Sequence, residues 1–389
     1  MGAGPASRLR SAQRPPQHGA EAAPYEVAYD ATRDVVARVS AGRVADEAAR
    51  AHDQRVRTRF ERLVRLTLVL TFGLLMLGAW VRLTDAGLGC PDWPGCYGKL
   101  TPAQASAQIA EAVEQQGGEH GPVSMGKAWR EMLHRYLAML VGVLSIALTV
   151  LAWRWRGRLR QSPWLASAIL GVVILQGLFG MWTVTLLLMP VIVTAHLMGG
   201  LLTFVLLLWL WLRQASQPRY VDPEPPAALL TPARVAIAAV LLQIFLGGWT
   251  STNYAALACS DLPTCQGAWW PEMDFANGFD PSRTLGRTAD GAALPVAALT
   301  AIHLSHRVGA LIVLAVVGWV GWRAVRAPGA ERLGLAVLAA LALQWGLGLA
   351  NVVYSLPLAL AVAHNGGAAL LLALLVVLHF RAVRARRMV

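Results

Sequence analysis

Long runs without a charged side chain constrain what this chain can fold into. One run covers Trp164–Leu212 and another covers Leu333–Phe380, and they are 49 and 48 residues long. Because a helix crosses a membrane with about 20 apolar residues, each run predicts two spanning helices. Only 14% of the whole chain is charged and 56% is hydrophobic, which excludes an ordinary soluble protein of this length.

Four further apolar segments have the length of a single span. They are centred on Leu66–Val81, Leu137–Trp153, Val235–Trp249 and Ile302–Trp322. Together with the two double runs, they predict an all-α integral membrane protein with eight transmembrane helices.

The basic side chains are distributed as a topology signal. The net charge is +12, but the arginines concentrate in alternate connections and in the approach to the first span. Such clusters are typical of cytoplasmic segments, so both termini are expected in the cytoplasm and nucleic acid is not expected as a partner. The clustered arginines are Arg57, Arg59, Arg62, Arg65, Arg154, Arg156, Arg158, Arg160, Arg213, Arg219, Arg323, Arg326, Arg332, Arg381, Arg384, Arg386 and Arg387.

Residues 1–60 form a polar extension that is rich in Ala and Arg and has no hydrophobic periodicity. Its first 20 residues are basic and contain no acid, which is typical of a mitochondrial transit peptide, but Glu21, Glu26 and Asp30 follow. We therefore expect a disordered cytoplasmic tail on a protein of the bacterial inner membrane. The mitochondrial inner membrane is the alternative location.

The two halves of the chain repeat each other. A shift of 169 residues carries Gly78-Ala-Trp80 to Gly247-Gly-Trp249, and a shift of 172 carries His134-Arg135 to His306-Arg307. We predict two four-helix bundles of the same topology, related by a pseudo-twofold axis along the membrane normal. The expected boundaries are 1–60 for the tail, 61–215 for the N-terminal bundle, 216–232 for a cytoplasmic linker and 233–389 for the C-terminal bundle.

All four cysteines lie in the two long loops on the outer side. Cys90 and Cys96 are in the first loop, and Cys259 and Cys265 are in the second. Their C-x5-C spacing is unusual for zinc, and each loop has too few thiolates for an iron–sulfur cluster. In an oxidising compartment, one interpretation is a structural disulfide that shapes each loop. The other is redox exchange during turnover.

Four histidines occupy matching positions in the two halves. His134 and His196 begin the second and fourth helices of the first half, and His306 and His364 do so in the second. A histidine within a membrane needs a polar partner, a proton pathway or a metal. Two pairs on neighbouring helices indicate two sets of axial ligands for heme iron. The alternative is that each histidine only binds a neighbouring helix or an interfacial water.

The two halves differ at one chemically important position. Glu131 lies one helical turn before His134, where an acid can take or relay protons. It can instead be an interfacial carboxylate paired with Arg130 or Arg135. The second half has His303 at the corresponding position, so we expect the chemistry in the first half.

An arginine follows a candidate ligand in each half. Arg135 follows His134, and Arg307 follows His306. A guanidinium matches a carboxylate, so both arginines are expected to hold heme propionates, to organise the adjacent loop or to extend to the interface.

In combination, several of these motifs resemble the heme A synthase family, over about residues 60 to 385. The resemblance rests on Glu131-Met-Leu-His134-Arg135, on Gly87-Leu-Gly-Cys90-Pro-Asp-Trp-Pro-Gly-Cys96, on His306-Arg307 and on the fourth-helix histidines. It implies the conversion of heme O to heme A, in which a ring methyl is oxidised to a formyl group by successive hydroxylations for terminal oxidase assembly. It also implies that His306 and His364 hold a resident heme b, while His134 and His196 mark the substrate pocket.

The resemblance assigns roles to further residues. It implies that Glu131 is the essential acid, that Cys90 and Cys96 are functional cysteines, and that Cys259 and Cys265 are the matching pair of the second loop. Expected partners are the heme O substrate and membrane lipid. Pathway logic adds a heme O synthase and an electron donor, and a homo-oligomer stays open.

Three other functions fit parts of the pattern. A two-heme membrane electron carrier would hold permanent hemes at both histidine pairs, but it needs no acid in one site. A thiol oxidoreductase coupled to quinone would use the outer cysteines, but it does not require four intramembrane histidines. A heme transporter would return its porphyrin unmodified.

Overall fold

The protein is described by a computed structural model that covers residue 1 and residues 24–118, 121–159, 161–215 and 226–388. The described residues contain ten α-helices and no β-strand beyond isolated bridges. The helices are α1 Pro24–Leu83, α2 Ser106–Gln115, α3 Met125–Arg154, α4 Trp164–Thr185, α5 Pro190–Ala215, α6 Leu230–Thr252, α7 Phe275–Gly278, α8 Val296–Val325, α9 Glu331–Val353 and α10 Leu358–Met388.

Eight helices in the described part of the chain are long and apolar enough to cross a membrane, as the sequence predicts. They are α1, α3, α4, α5, α6, α8, α9 and α10. The short helices α2 and α7 lie in the two long connections that contain the cysteine pairs. The fold class is therefore all-α and membrane-spanning.

Helix α1 begins earlier than the sequence analysis expects. Residues 24–60, predicted to lack regular structure, belong to α1, which starts at Pro24. Alanine and arginine favour a helix without any apolar stripe, and this explains why hydrophobic periodicity misses it. Residues 1–55 and 56–389 form separate compact units. Residues 2–23 of the expected tail and 216–225 of the expected linker lie outside the described residues.

The two short turns between paired helices are built alike. In the α4–α5 turn, Leu187 and Leu188 have φ values of 49° and 58°, and in the α9–α10 turn Ser355 and Leu356 have values of 56° and 64°. A proline follows each turn at position 190 or 357 and fits the start of a helix. Both turns thereby place a histidine at the seventh position of the next helix, His196 in α5 and His364 in α10.

The helix contacts repeat within the C-terminal half and extend across the halves. Helix α8 packs on α6 and α9, while α10 packs on α9 and α6. Helix α5 of the first half packs on α4, α6 and α10. Its Leu207 and Leu210 belong to the core of the first half, and its Leu201 and Phe204 belong to that of the second. These contacts are compatible with the two predicted bundles.

Candidate functional site

The two cysteine loops have the same backbone. Disulfides join Cys90 to Cys96 and Cys259 to Cys265. An antiparallel bridge follows each one, and each loop contains one cis X-Pro bond, before Pro94 or Pro263. The expected pairing is therefore present in both halves, and each disulfide closes a compact loop.

An aspartate holds each loop from inside. Asp92 accepts hydrogen bonds from the backbone N–H groups of Tyr97 and Gly98. Asp261 accepts them from Gln266 and Gly267 at 2.7 and 3.0 Å. Hydrogen bonds from the Thr264 hydroxyl and from these N–H groups lower the pKa of Asp261 to about 2. This carboxylate therefore stays charged across the physiological pH range.

An arginine ties each loop to the spanning helix beneath it. Arg135 of α3 donates to the carbonyl oxygens of Asp92 and Gly95 at 2.7 and 2.6 Å. Arg307 of α8 donates to those of Asp261, Thr264 and Cys259 at 2.9, 3.0 and 2.6 Å. Of the roles expected for these arginines, the contacts correspond to organisation of the adjacent loop. Most of their terminal N–H donors are used there.

Glu131 and His303 occupy equivalent places with different chemistry. The Cys90 N–H donates to Glu131 Oε2 at 2.9 Å, and the Cys259 N–H donates to His303 Nδ1 at 3.2 Å. Both side chains are buried, with 4% of each residue exposed. Glu131 also forms an ion pair with Arg135, which matches the pairing considered for it. One half thus has a buried carboxylate where the other has an imidazole.

The histidines of the first half face each other. The ring centroids of His134 and His196 are 6.5 Å apart, at an interplanar angle of 78°. Two imidazoles that bind one metal ion through ~2 Å bonds have centroids roughly 6 Å apart. The buried Nδ1 atoms of both rings have no hydrogen-bond partner among the described residues. This arrangement fits two axial ligands better than it fits two histidines that bind neighbouring helices.

Each of the four histidines packs against a glycine on a neighbouring helix. A Cβ atom at Gly78 or Gly247 would lie 3.0 Å from Cε1 of His134 or His306. At Gly180 or Gly348 it would lie 3.7 or 3.2 Å from Cε1 of His196 or His364. The missing side chains let the helices approach closely enough to hold each ring against a neighbouring helix.

Partly buried glutamines accompany the histidines. On α6, Gln243 Nε2 lies 3.0 Å from His306 Nδ1 and donates to the His306 carbonyl at 2.9 Å. On α9, Gln344 Nε2 lies 3.4 Å from His364 Nε2. A residue that contacts a ligand ring can set its orientation. In the sequence, Gln344 matches Gln176 of the first half. This match was the one feature of the sequence that pointed to a role for Gln344 beside the histidines.

A cavity of about 740 Å³ lies in the C-terminal half and is lined by both His306 and His364. Its volume is in the range of ~300–1,000 Å³ that accommodates cofactors. Apolar side chains such as Ile244, Val313 and Leu341 form much of its wall. The His364 Nδ1 atom is buried without a partner among the described residues. The residues present therefore fit a planar, largely apolar group bound by two imidazoles, as heme is.

The structure brings most of the expected site residues together. Each half has its histidine pair, its loop arginine and its disulfide, and only the first half has the glutamate. Several residues of the site are not evident from the sequence alone. They are the glycines under the rings, Gln243 beside His306, and Arg82, Asp85 and Tyr254, which also line the cavity. These residues become visible only when helices distant in sequence are packed together.

Comparison with known proteins identifies the family. The family model described as cytochrome oxidase assembly protein (COX15-CtaA) matches residues 61–376. A protein of Shewanella oneidensis named "Heme A synthase" is 40% identical over 319 residues, which is 82% of this chain and 95% of the relative. A "Heme A synthase" of Caulobacter sp. (strain K31) is 31% identical and covers 78% of this chain and 90% of its own. One from Rhodopseudomonas palustris (strain HaA2) is 29% identical and covers 82% and 89%.

The matched range contains the positions of both histidine pairs, Glu131 and both cysteine loops, and it begins after the N-terminal extension of residues 1–60. The resemblance stated from the sequence motifs is thereby confirmed. The chain belongs to the heme A synthase family of cytochrome oxidase assembly proteins.

Proposed function

We propose that this protein is a heme A synthase, which oxidises a ring methyl of heme O to a formyl group by successive hydroxylations. The product, heme A, serves the assembly of terminal oxidases. The observation that carries the proposal is the buried carboxylate of Glu131 beside one histidine pair, where His303 takes the equivalent place beside the other. A chain with two identical electron-transfer sites would not need that difference.

The C-terminal half is the electron-transfer half in this proposal. His306 and His364 would hold heme b, which supplies one-electron transfer when it is bound. Gln243 and Gln344 lie against the two rings and fix their orientation. No acid takes the place of Glu131 here, because His303 binds the Cys259 N–H instead.

The N-terminal half binds the substrate in this proposal. His134 and His196 hold heme O through its iron, and the glycines beneath the rings let the neighbouring helices pack closely against both imidazoles. Glu131 lies one turn of α3 from His134 and connects the pocket to the Cys90 loop above it. Its carboxylate is positioned to accept a proton from a hydroxylated intermediate and to pass it toward the loop. Arg135 stabilises the carboxylate form through their ion pair.

The Cys90–Cys96 disulfide has a positioning role in this proposal. The Cys90 N–H binds the carboxylate of Glu131 directly. Closing the loop with a disulfide fixes that N–H and thus fixes the carboxylate oxygen. Cys259–Cys265 does the same for His303 in the heme b half.

The proposed location is the bacterial inner membrane, with both termini in the cytoplasm and both cysteine loops in the periplasm. The eight apolar helices support the membrane location, and the arginine clusters support the orientation. Proposed partners are a heme O synthase, which would supply the substrate, and an electron donor.

Analysis of extracted hemes tests the proposal. The full chain is expressed with a source of heme O in a host that lacks heme A. The extracted hemes are separated, and their masses are determined by mass spectrometry. Hydroxylated heme O or heme A is the expected product. A folded, heme-loaded protein that returns only heme B and unchanged heme O would overturn the proposal and favour an electron carrier or transporter.

A further inference from the structure

The ends of α1 and α6 meet through residues at equivalent positions of the repeat. The shift of 169 residues relates Arg82 to Ser251 and Asp85 to Tyr254. Arg82 Nη2 donates to the Ser251 carbonyl at 2.5 Å, and the Tyr254 hydroxyl donates to Asp85 Oδ1 at 2.7 Å. When equivalent positions contact each other, the pseudo-twofold relation passes between them. This cluster is therefore a junction of the two halves.

The same cluster lines the cavity that contains His306 and His364. Arg82, Asp85 and Tyr254 all belong to its wall. The guanidinium of Arg82 also lies over the Tyr254 ring, 4.0 Å from its centroid. The N-terminal half thus contributes a cation to a cavity whose histidines come from the C-terminal half.

The two arginines of this cavity differ in how firmly their donors are engaged. Both terminal nitrogens of Arg307 bind loop carbonyl oxygens, at 2.6 to 3.0 Å. Arg82 binds one carbonyl, and its Nη1 is 3.4 Å from Asp85, whose side chain is 56% exposed. An ion pair with an exposed carboxylate adds little free energy of stabilisation. Arg82 can therefore exchange Asp85 for another carboxylate, whereas Arg307 would first have to release its loop.

The chemistry of the cavity defines the ligand edge that Arg82 would meet. The wall is mainly apolar, and Arg82 and Arg307 add positive charge beside it. Heme matches this combination, because it is an apolar plane with two carboxylates on one edge. A guanidinium binds such a carboxylate with two parallel hydrogen bonds.

We propose that Arg82 binds a propionate of the heme held by His306 and His364, and that this carboxylate replaces Asp85 as its partner. The heme b site is then completed by the N-terminal half. The inference rests on the heme b site of the proposed function, and it adds a residue that the repeat alone does not indicate, since Ser251 stands at the equivalent position.

Binding of heme and of heme dimethyl ester, whose propionates carry no charge, tests the role of Arg82. The full-length apoprotein in detergent carries His134→Ala and His196→Ala, so that only the C-terminal pair binds. We expect Arg82→Gln to weaken heme binding roughly 10- to 100-fold, and to change binding of the ester by less than about twofold. Loss of the nearby positive charge should also lower the midpoint potential of the bound heme.

Two further variants keep the test independent of folding damage. Asp85→Asn should strengthen heme binding, because it removes the competing carboxylate, and a damaged protein would not bind more tightly. Arg287→Gln removes an exposed arginine of the outer loop, whose Nη1 binds only the Gly291 carbonyl, and should change nothing. Equal weakening of heme and ester by Arg82→Gln would overturn the proposal.

Failure of the underlying heme site gives a different result. If the parent protein binds neither heme nor its ester, or if His306→Ala leaves binding unchanged, the assignment of heme b to the C-terminal pair falls. If the parent protein binds heme and its dimethyl ester equally well, and through His306, only the proposed role of Arg82 is overturned.

Discussion

At the scale of single residues, the difference between the halves is the replacement of a carboxylate by an imidazole. Glu131 and His303 bind the same backbone N–H of the same kind of loop. The position therefore has a structural role in both halves, which is to hold the loop over the histidine pair. Only Glu131 adds an acid, so its structural and chemical roles can be separated by comparison with His303.

Glu131→Gln separates these roles. The amide oxygen can still accept the Cys90 N–H, but the side chain can no longer exchange protons. We expect heme content to stay near that of the parent, while the rate of heme A formation falls by at least about 100-fold. Heme extraction and mass analysis measure both quantities in one sample.

His303→Gln is the matched control. It keeps an acceptor for the Cys259 N–H and changes no proposed proton carrier, so heme A formation should fall far less than in Glu131→Gln. Comparable losses in the two variants would remove Glu131 from the chemistry and leave it a loop anchor.

The four histidines could be predicted because a repeat is visible in the sequence without any structure. The roles of the arginines could not, because Arg135 and Arg307 have the same sequence context as a propionate ligand and as a loop anchor. Their donors had to be located before the two roles could be told apart. Arg82 has no signal of its own, since its contact to Ser251 joins positions 169 residues apart.

At the scale of elements, close helix packing positions the imidazoles. Gly78 on α1 faces His134 on α3, and Gly247 on α6 faces His306 on α8. A methyl group at either glycine would lie only 3.0 Å from the ring, which is closer than van der Waals contact allows. The ring or the helix would have to move.

Alanine substitution at these glycines should therefore expel heme from one half at a time. We expect Gly247→Ala to reduce bound heme b to less than roughly half of the parent level, because the misplaced His306 weakens the iron bond. Gly78→Ala should leave heme b in place and reduce the conversion of heme O. Absorption spectra and extracted hemes measure the two effects.

Gly142→Ala on α3 is the control, because a Cβ atom there would meet nothing within 4 Å. It should behave like the parent in both assays. Full retention of heme b by Gly247→Ala and full conversion of heme O by Gly78→Ala would contradict the expectation. The helices would then be able to move apart enough to accommodate the added methyl group.

The cysteine loops offer a test at the same scale. Both disulfides span the same six-residue separation, so replacing both cysteines of either pair by serine should cost its loop about 2 kcal/mol of local stability. Hydrogen exchange of the loop amides, followed by mass spectrometry, measures this loss. Similar loosening of both loops is expected from a purely structural role. Loss of heme A in Cys90→Ser/Cys96→Ser without faster exchange would contradict that role and favour redox chemistry.

The positions of the spanning helices could be predicted from composition, but the start of α1 could not. An apolar run of about 20 residues marks a span by itself, and this identifies all eight. Residues 24–60 form a helix without such a run, since alanine and arginine favour helix formation whatever their neighbours. Hydrophobic periodicity therefore does not predict this part of α1.

At the scale of the whole molecule, eight membrane crossings would put both termini on one side and both cysteine loops on the other. Each half contributes four candidate spans, so the two halves are expected to have the same orientation in the membrane. Both histidine pairs would then lie at a similar depth beneath the disulfide loops. This is the arrangement that two hemes need to exchange electrons without moving.

The orientation itself follows from the arginines and can be tested by labelling. Ser162, in the connection after the arginine cluster at 154–160, is exposed, and so is Ser282 in the long connection before α8. All four native cysteines are in disulfides, so a single cysteine introduced at either serine is the only thiol that reacts with a membrane-impermeant maleimide.

We expect Ser282→Cys to be labelled in intact cells after the outer membrane is made permeable. Ser162→Cys should be labelled only after the inner membrane is opened as well, because arginine-rich connections stay in the cytoplasm. The reverse pattern would place Glu131 and both disulfides near the reducing cytoplasm, where the loops could not keep their closed form.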